Sequence, residues 1–528
     1  MRRTSVPLVA MLVLVVTTRV ALCDVRPAAL FCDGLVLQRG DAVAVWGWAD
    51  PGEAVTVSID GRSVETAADD DGAWRVSIDP PEAGGPYTLT LTGKNTMTIE
   101  DVLVGDVWLA SGQSNMAWPL RKCHDGAAET AKANHPKIRL FQTPRRPSTE
   151  PLPDVEAAWE VCAPESAADF SGVAYYFGQA LRRHLDVPIG LIEADRGGSP
   201  SEAWTSREVV ASHEAFEPTR RRWKTIIENY PKARETYHDE LRQWRKQPAI
   251  AAWIKEVRAA RAEGKQPPRA PAEPRRPWRP LGPEHPIRPS NLFNGMLHPL
   301  IPYTVRGVIW YQGESNAGRA RQYRTIFPLM IEDWRTRWGA QLPFLFVQNT
   351  NYGEHKDAPT SDKWAALREA QSMAHRRVPR TAMVVSIDCG QAEHIHGRFK
   401  KPIGRRLALA ARGLVYGEDI VYSGPIYKGM TKKDGRIRLA FDHAHGGLMA
   451  GREGEADALT GFGIAGADRQ FVWAKARIDG DEVVVWSEEV PDPVAVRYAW
   501  QRNPRANLYN KEGLPASPFR TDEWPLRW

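Results

Sequence analysis

The sequence is short of the features that mark several protein classes. It has no Cys-x-x-Cys or His-Glu-x-x-His motif, so no zinc-binding pattern stands out. Its charge is nearly balanced, 70 Lys and Arg against 64 Asp and Glu, and the +6 excess is small for 528 residues. Many of the arginines sit in one segment, which argues against a nucleic-acid partner. After the first two dozen residues no apolar run is long enough to span a membrane. There is no internal repeat. What remains is an ordinary globular composition, 42% hydrophobic and 25% charged, with length for two to four domains. Twenty tryptophans are many. Most are expected in cores, although aromatic platforms also line carbohydrate clefts.

The first 23 residues have the pattern of a signal peptide. Arg2-Arg3 precede a short apolar core at 6–16, and Ala21-Leu22-Cys23 offers a cleavage site before Asp24. The expectation is a secreted or periplasmic protein with no stable membrane insertion after cleavage. Lipid anchoring through Cys23 is the alternative, disfavoured by bulky Leu22. Cleavage leaves Cys32, Cys123, Cys162 and Cys389. Four cysteines allow up to two disulfides. Cys123 with Cys162 is the favoured pair, and four buried thiols are the alternative.

Residues 24–100 alternate apolar and polar positions in short runs, such as Ala42-Val43-Ala44-Val45-Trp46. Turn signals such as Asp50-Pro51-Gly52 separate them, so a β-sandwich-like domain is expected. From 101 to 425 strands alternate with helices, the pattern of a parallel sheet with helices on both faces. Strands are expected near 102–109, 138–142, 187–194, 305–311, 343–349 and 381–388. Helices are expected near 115–133, 168–184, 320–337 and 362–376. A segment at 207–289 interrupts this order. It has a helical arm, with Trp223, Ile226, Ile227 and Tyr230 on one face, and then a Pro- and Arg-rich stretch at 266–289. A solvated loop is the plain reading of that stretch; a glycan-contacting flap is the sharper one. Residues 426–528 return to β-like runs.

The most informative stretch is 102–116. An apolar run at 102–110 reads as a buried strand, and Ser111-Gly112-Gln113-Ser114-Asn115-Met116 breaks it with small polar residues. Such a turn can lift a serine hydroxyl from the C-terminal edge of a parallel sheet. A helix starting beside Ser114 would add its positive dipole end.

Four blocks in order carry a family resemblance. They are Gly112-Gln113-Ser114-Asn115-Met116, Gly197-Gly198-Ser199-Pro200-Ser201-Glu202-Ala203-Trp204, Trp310-Tyr311-Gln312-Gly313-Glu314-Ser315-Asn316, and Ile395-His396 with Lys400 and Gly404-Arg405-Arg406-Leu407. Together they resemble the sialate O-acetylesterase-like family of the SGNH hydrolase superfamily. The resemblance implies an α/β fold with an SGNH-hydrolase, flavodoxin-like parallel sheet, here flanked by β-rich N-terminal and C-terminal lobes. It also implies a cofactor-free serine esterase acting on acetylated carbohydrate, with sialate esters as the namesake substrate. Acetyl-xylan and other polysaccharides are the alternative substrates, and a non-catalytic glycan-binding protein is the alternative class.

Serine ester hydrolysis needs a nucleophile, a base, a group orienting the base and oxyanion donors. Ser114 is the expected nucleophile and His396 the base. Donors are the Ser114 N–H, the Gly197-Gly198 turn through Gly198, and by resemblance the amide of Gln312, with Asn316 as alternate. Glu314 then serves as an anchor. The last block departs from the family pattern, reading Glu393-His394-Ile395-His396-Gly397 where relatives have aspartate before the Ile-His pair. Glu393 is the expected third member, and Asp388, or none, remains open. Reading Asp388, Glu393, His394 and His396 as metal ligands is the weaker option.

Overall fold

The computed structural model describes residues 24–444, 446–451 and 458–526. The expected signal segment 1–23, with Cys23, lies outside the described residues. One strand, β1 (Thr96–Gly112), runs for 17 residues through the middle of the molecule. Its first half pairs antiparallel with Gly84–Thr92 in the N-terminal β-region. Its second half lies parallel to its neighbours in the α/β region. The boundary expected at 100/101 therefore falls inside a single strand. The N-terminal region adds a separate three-stranded sheet of Arg26–Pro27, Val43–Trp48 and Ala73–Ile78.

The other strands of the α/β sheet are β2 (His135–Gln142), β3 (Trp159–Cys162), β4 (Ile189–Asp195), β5 (Gly307–Tyr311), β6 (Phe344–Gln348) and β7 (Thr381–Val385). Their order is β3-β2-β4-β1-β5-β6-β7. All neighbours from β2 to β7 run parallel, and β3 is an antiparallel edge. From β4 onward, chain order across the sheet is 2-1-3-4-5, a doubly wound order. Its reversal point lies between β1 and β5, where open α/β sheets place ligands.

The larger helices are α1 (Gly172–Leu185), α2 (Glu217–Lys246), α3 (Pro248–Ala262), α4 (Ala320–Trp338), α5 (Lys363–Arg377) and α6 (Lys400–Leu414). Strand β1 is buried on both faces, so alternate residues enter two cores. Trp108 and Ala110 pack with α1 and α6, through residues such as Phe177 and Leu407. Val107 and Leu109 pack with α4 and α5, through residues such as Phe327 and Leu367. No helix is long and apolar enough to cross a membrane among the described residues.

The C-terminal region forms two four-stranded sheets and a two-stranded ribbon. Arg368 of α5 joins it to the α/β sheet. Its buried guanidinium donates to the carbonyls of Asn349 and Thr350 on one side and Gln501 and Arg502 on the other.

Two expectations need correction. No helix spans 115–133. The chain instead turns at 113–116, becomes extended at Pro119 and has only short helices at Leu120–Lys122 and Gly126–Ala131. Proline removes an N–H and disfavours helix just before it, which ends any helix there. No disulfide joins Cys123 and Cys162; both are buried free thiols, Cys32 is half-buried and free, and Cys389 is buried. Cys162 ends edge strand β3. Cys123 instead packs where a Cβ on Gly172 would meet its sulfur at 2.4 Å.

Asp106, in the middle of β1, ties the N-terminal region to the α/β region. Its fully buried carboxylate accepts from Gln38 at 3.1 Å, Arg39 at 3.0 Å, Arg306 at 3.2 Å and Tyr416 at 2.9 Å. Asp106→Ala would leave two guanidinium groups facing a buried gap. It is expected to lower unfolding stability by about 3 kcal/mol, read by urea denaturation. A loss within error of zero would show that the cluster does not hold the regions together.

Candidate active site

The turn after β1 carries Ser114 past the C-terminal edge of the sheet. Gly112 begins it with φ +142°, and a Cβ there would lie 2.3 Å from the Tyr311 carbonyl of β5. Only glycine lets the two strands approach this closely. The Gln113 N–H then bonds Tyr311 O at 3.0 Å, and the N–H groups of Met116 and Ala117 close on Gln113 O. Ser114 is left half-exposed at the tip.

His396 Nε2 lies 2.9 Å from Ser114 Oγ. The loop between β7 and α6 brings it back across the sheet. The indole of Trp118 stacks on the imidazole, with ring centres 5.1 Å apart and planes 21° from parallel. His396's pKa is held below its ordinary 6.5 by burial, then by the Lys400 and His394 charges. The imidazole is therefore neutral near pH 7, the form that accepts a proton.

No carboxylate bonds His396 among the described residues. Glu393 is exposed and makes no hydrogen bond to His396. Asp388 is held bidentately by Arg406, at 2.6 and 2.7 Å. His394 is exposed. No group of three or more His, Cys, Asp and Glu is placed to hold a metal ion among the described residues.

The glycine pair stands beside the serine. A Cβ on Gly197 would lie 3.4 Å from the Ser114 Cβ, and Gly198 turns at φ +72° into open space. Neither the Ser114 nor the Gly198 N–H has an acceptor among the described residues. The strand end before this turn is held by buried Glu193 and Asp195. Arg145 bonds Asp195 at 2.8 Å, and burial raises the pKa of Glu193, with Asp195's charge adding to the effect.

Gln312 and Asn316 differ from expectation. Both amides are buried and satisfied inside the protein. Gln312 Nε2 donates to Ser199 O at 3.1 Å and Asn316 Oδ1 at 2.8 Å, and its Oε1 accepts from Tyr323 at 2.9 Å. Asn316 Nδ2 donates to Glu202 at 3.0 Å, and its Oδ1 accepts from the Ser201 N–H at 3.0 Å. A buried, satisfied amide has no reason to leave its partners, so these two side chains fasten the second block to the third. Glu314 accepts from Asn115 Nδ2 at 2.5 Å.

Two residues near the pair had no assigned role in the sequence. Trp118 follows Ser114 by four positions, and only the tertiary fold brings it to His396. Lys400 is fully buried, 2.5 Å from Asn115 Oδ1 and 5.2 Å from the Tyr311 ring centre. Burial lowers its pKa to about 8. Its place in the fourth block was visible, but a buried ammonium leaves no mark in a single sequence.

The doubly wound sheet and the Ser114–His396 contact fit a carboxylic ester hydrolase, and comparison with known proteins establishes that class. A family model described as carbohydrate esterase, sialic acid-specific acetylesterase matches residues 104–243 and 290–412, leaving 244–289 unmatched. A solved carbohydrate acetylesterase from Xanthomonas citri is 37% identical, covering 95% of this chain and 100% of its own, with a TM-score of 0.77. The sialate O-acetylesterase of Mus musculus is 29% identical over 97% of both chains. That of Homo sapiens is 29% identical over 95% of this chain and 94% of its own. The chain belongs to the sialic acid-specific acetylesterase family of carbohydrate esterases.

A base without a facing carboxylate should lose its proton easily. With His396 as the expected base, kcat/KM should fall as pH drops through a midpoint below 6.5. Glu393→Gln should leave that midpoint in place. A midpoint above 6.5, lowered by Glu393→Gln, would show that Glu393 faces the imidazolium during turnover.

Proposed function

We propose that the protein is an exported SGNH-type serine esterase that removes O-acetyl groups from sugars, with sialate O-acetyl esters as its first substrate class. The observation that carries the chemistry is the 2.9 Å contact between Ser114 Oγ and His396 Nε2 beside two N–H groups without acceptors. Export rests on the pattern of residues 1–23, and the sugar class on the family and its relatives.

In this reading Ser114 Oγ attacks the acetyl carbonyl carbon as His396 Nε2 takes the hydroxyl proton. The carbonyl oxygen becomes an oxyanion facing the N–H groups of Ser114 and Gly198, which are fixed before the reaction starts. His396 then returns the proton to the sugar oxygen as the C–O bond breaks. Water, deprotonated by the same histidine, attacks the acetyl-serine and releases acetate. Trp118 holds the imidazole plane while its charge changes, in place of an acceptor at Nδ1. Its indole face also attracts the cationic form of the ring.

Ser114→Ala should keep the fold and lower hydrolysis of p-nitrophenyl acetate by about 10⁴-fold or more. Near-wild-type turnover would exclude Ser114 as nucleophile. Acetate release from O-acetyl sialates, compared with acetylated xylan, tests the sugar class; faster release from xylan would overturn the sialate assignment. Protein from the native host should begin near Asp24, and an intact Met1 on cytoplasmic protein would contradict export.

A further inference from the structure

The arm formed by α2 and α3 carries a feature that the catalytic chemistry does not use. Proline recurs at every third position from Pro268 to Pro289, the repeat of a polyproline II helix. The segment follows that repeat in its burial. Pro271, Pro274, Pro277, Pro280 and Pro283 are half-buried, while Arg275, Arg276, Trp278 and Arg279 between them are exposed. Two indoles clamp the strap to the helices. Trp244 of α2 donates to Pro274 O at 2.8 Å, and Trp253 of α3 donates to Pro268 O at 3.0 Å. The prolines face the arm, and the arginines and one tryptophan face outward.

A groove of ≈ 660 Å³ runs between the strap and the helices, lined by Trp244, Trp253, Trp278, Arg245, Arg258 and Arg276 among others. Trp278 is 91% exposed, the largest exposure of any large hydrophobic side chain described. Leaving an indole in water has a free-energy cost that a ligand could remove. Arg245, Arg258 and Arg276 have no carboxylate partner among the described residues. Segment 217–289 holds 18 Lys and Arg against nine Asp and Glu. Its net charge of +9 exceeds the +6 of the whole chain.

We infer that this groove is an accessory binding site for acidic polysaccharide, using Trp278 as a stacking face for a sugar ring and Arg258 and Arg276 for its carboxylates. A pyranose has an apolar C–H face suited to an indole, and a guanidinium donates paired hydrogen bonds to a carboxylate. The inference rests on the carbohydrate reading of the catalytic site, which favours a glycan over other polyanions. The arm's root lies near the catalytic network, where Arg222 meets Glu202 at 3.6 Å. Trp244 is about 33 Å further along α2 at 1.5 Å per residue. A long polymer can reach from the groove towards Ser114, and holding it at one raises its effective concentration at the other.

Binding is measured by calorimetry on full-length Ser114→Ala protein, so that no hydrolysis intervenes. The probes are deacetylated polygalacturonate, neutral deacetylated xylan and single-stranded DNA. Polygalacturonate should bind more tightly than either, and more weakly as salt is raised. Adding Trp278→Ala and Arg276→Ala should weaken its binding by about tenfold or more. In the Ser114 background the same two substitutions should leave p-nitrophenyl acetate hydrolysis unchanged, which reads folding and catalysis separately. Unchanged polygalacturonate affinity in the double variant would overturn the inference. So would tighter DNA binding that depends on the same residues, or equal binding of xylan. Absence of ester hydrolysis by the unsubstituted protein would instead refute the catalytic reading.

Discussion

The site depends on one side-chain amide. Asn115 follows Ser114, the proposed nucleophile, and its Nδ2 donates to the buried Glu314 carboxyl at 2.5 Å and the Ile395 carbonyl at 3.2 Å. Its Oδ1 accepts from the Lys400 ammonium at 2.5 Å. An ammonium can only donate, so the carbonyl end of the amide must face Lys400. One residue thereby fastens the nucleophile turn to the third and fourth blocks. Asn316 does the same between the second and third. The four blocks meet through buried amides whose hydrogen bonds have no good substitutes, and this fixes Ser114 against His396.

The electrostatics of this arrangement are unusual for a serine hydrolase site. A carboxylate facing the base would raise the histidine's pKa and stabilise its cation. Here burial, and after it a buried ammonium and a second histidine, lower it, and Trp118 stacks on the ring. The base is weaker but neutral over a wider range of pH. In the proposed mechanism, stabilisation of the developing oxyanion falls to the N–H groups of Ser114 and Gly198, a kind of contribution that is usually the largest in acyl transfer.

Much of the fold could be read from the sequence because it follows from periodicity. Six expected strands form the parallel sheet, and three of four expected helices appear with it. The fourth, at 115–133, failed because Pro119 ends any helix begun after Ser114. The 100/101 boundary failed for a different reason. A change in pattern marks where neighbours change, and β1 changes neighbours without ending. The pairing of Ser114 with His396 was legible from block order. The idle Glu393, the satisfied Gln312 and Asn316, and the stacked Trp118 were not. Each depends on which side chains meet across loops, information that spacing along one chain does not hold. The repeat of prolines at 268–289 was present in the sequence, but its meaning needed the two indoles that clamp it.

The central claim is that Ser114 is made nucleophilic by His396 alone. Treatment with a serine-directed phosphonate, followed by peptide mass spectrometry, tests it most directly. A single adduct on Ser114 is expected, with labelling lost in His396→Ala and retained in Glu393→Gln. An adduct on Ser111, or labelling of Ser114 that persists without His396, would contradict it.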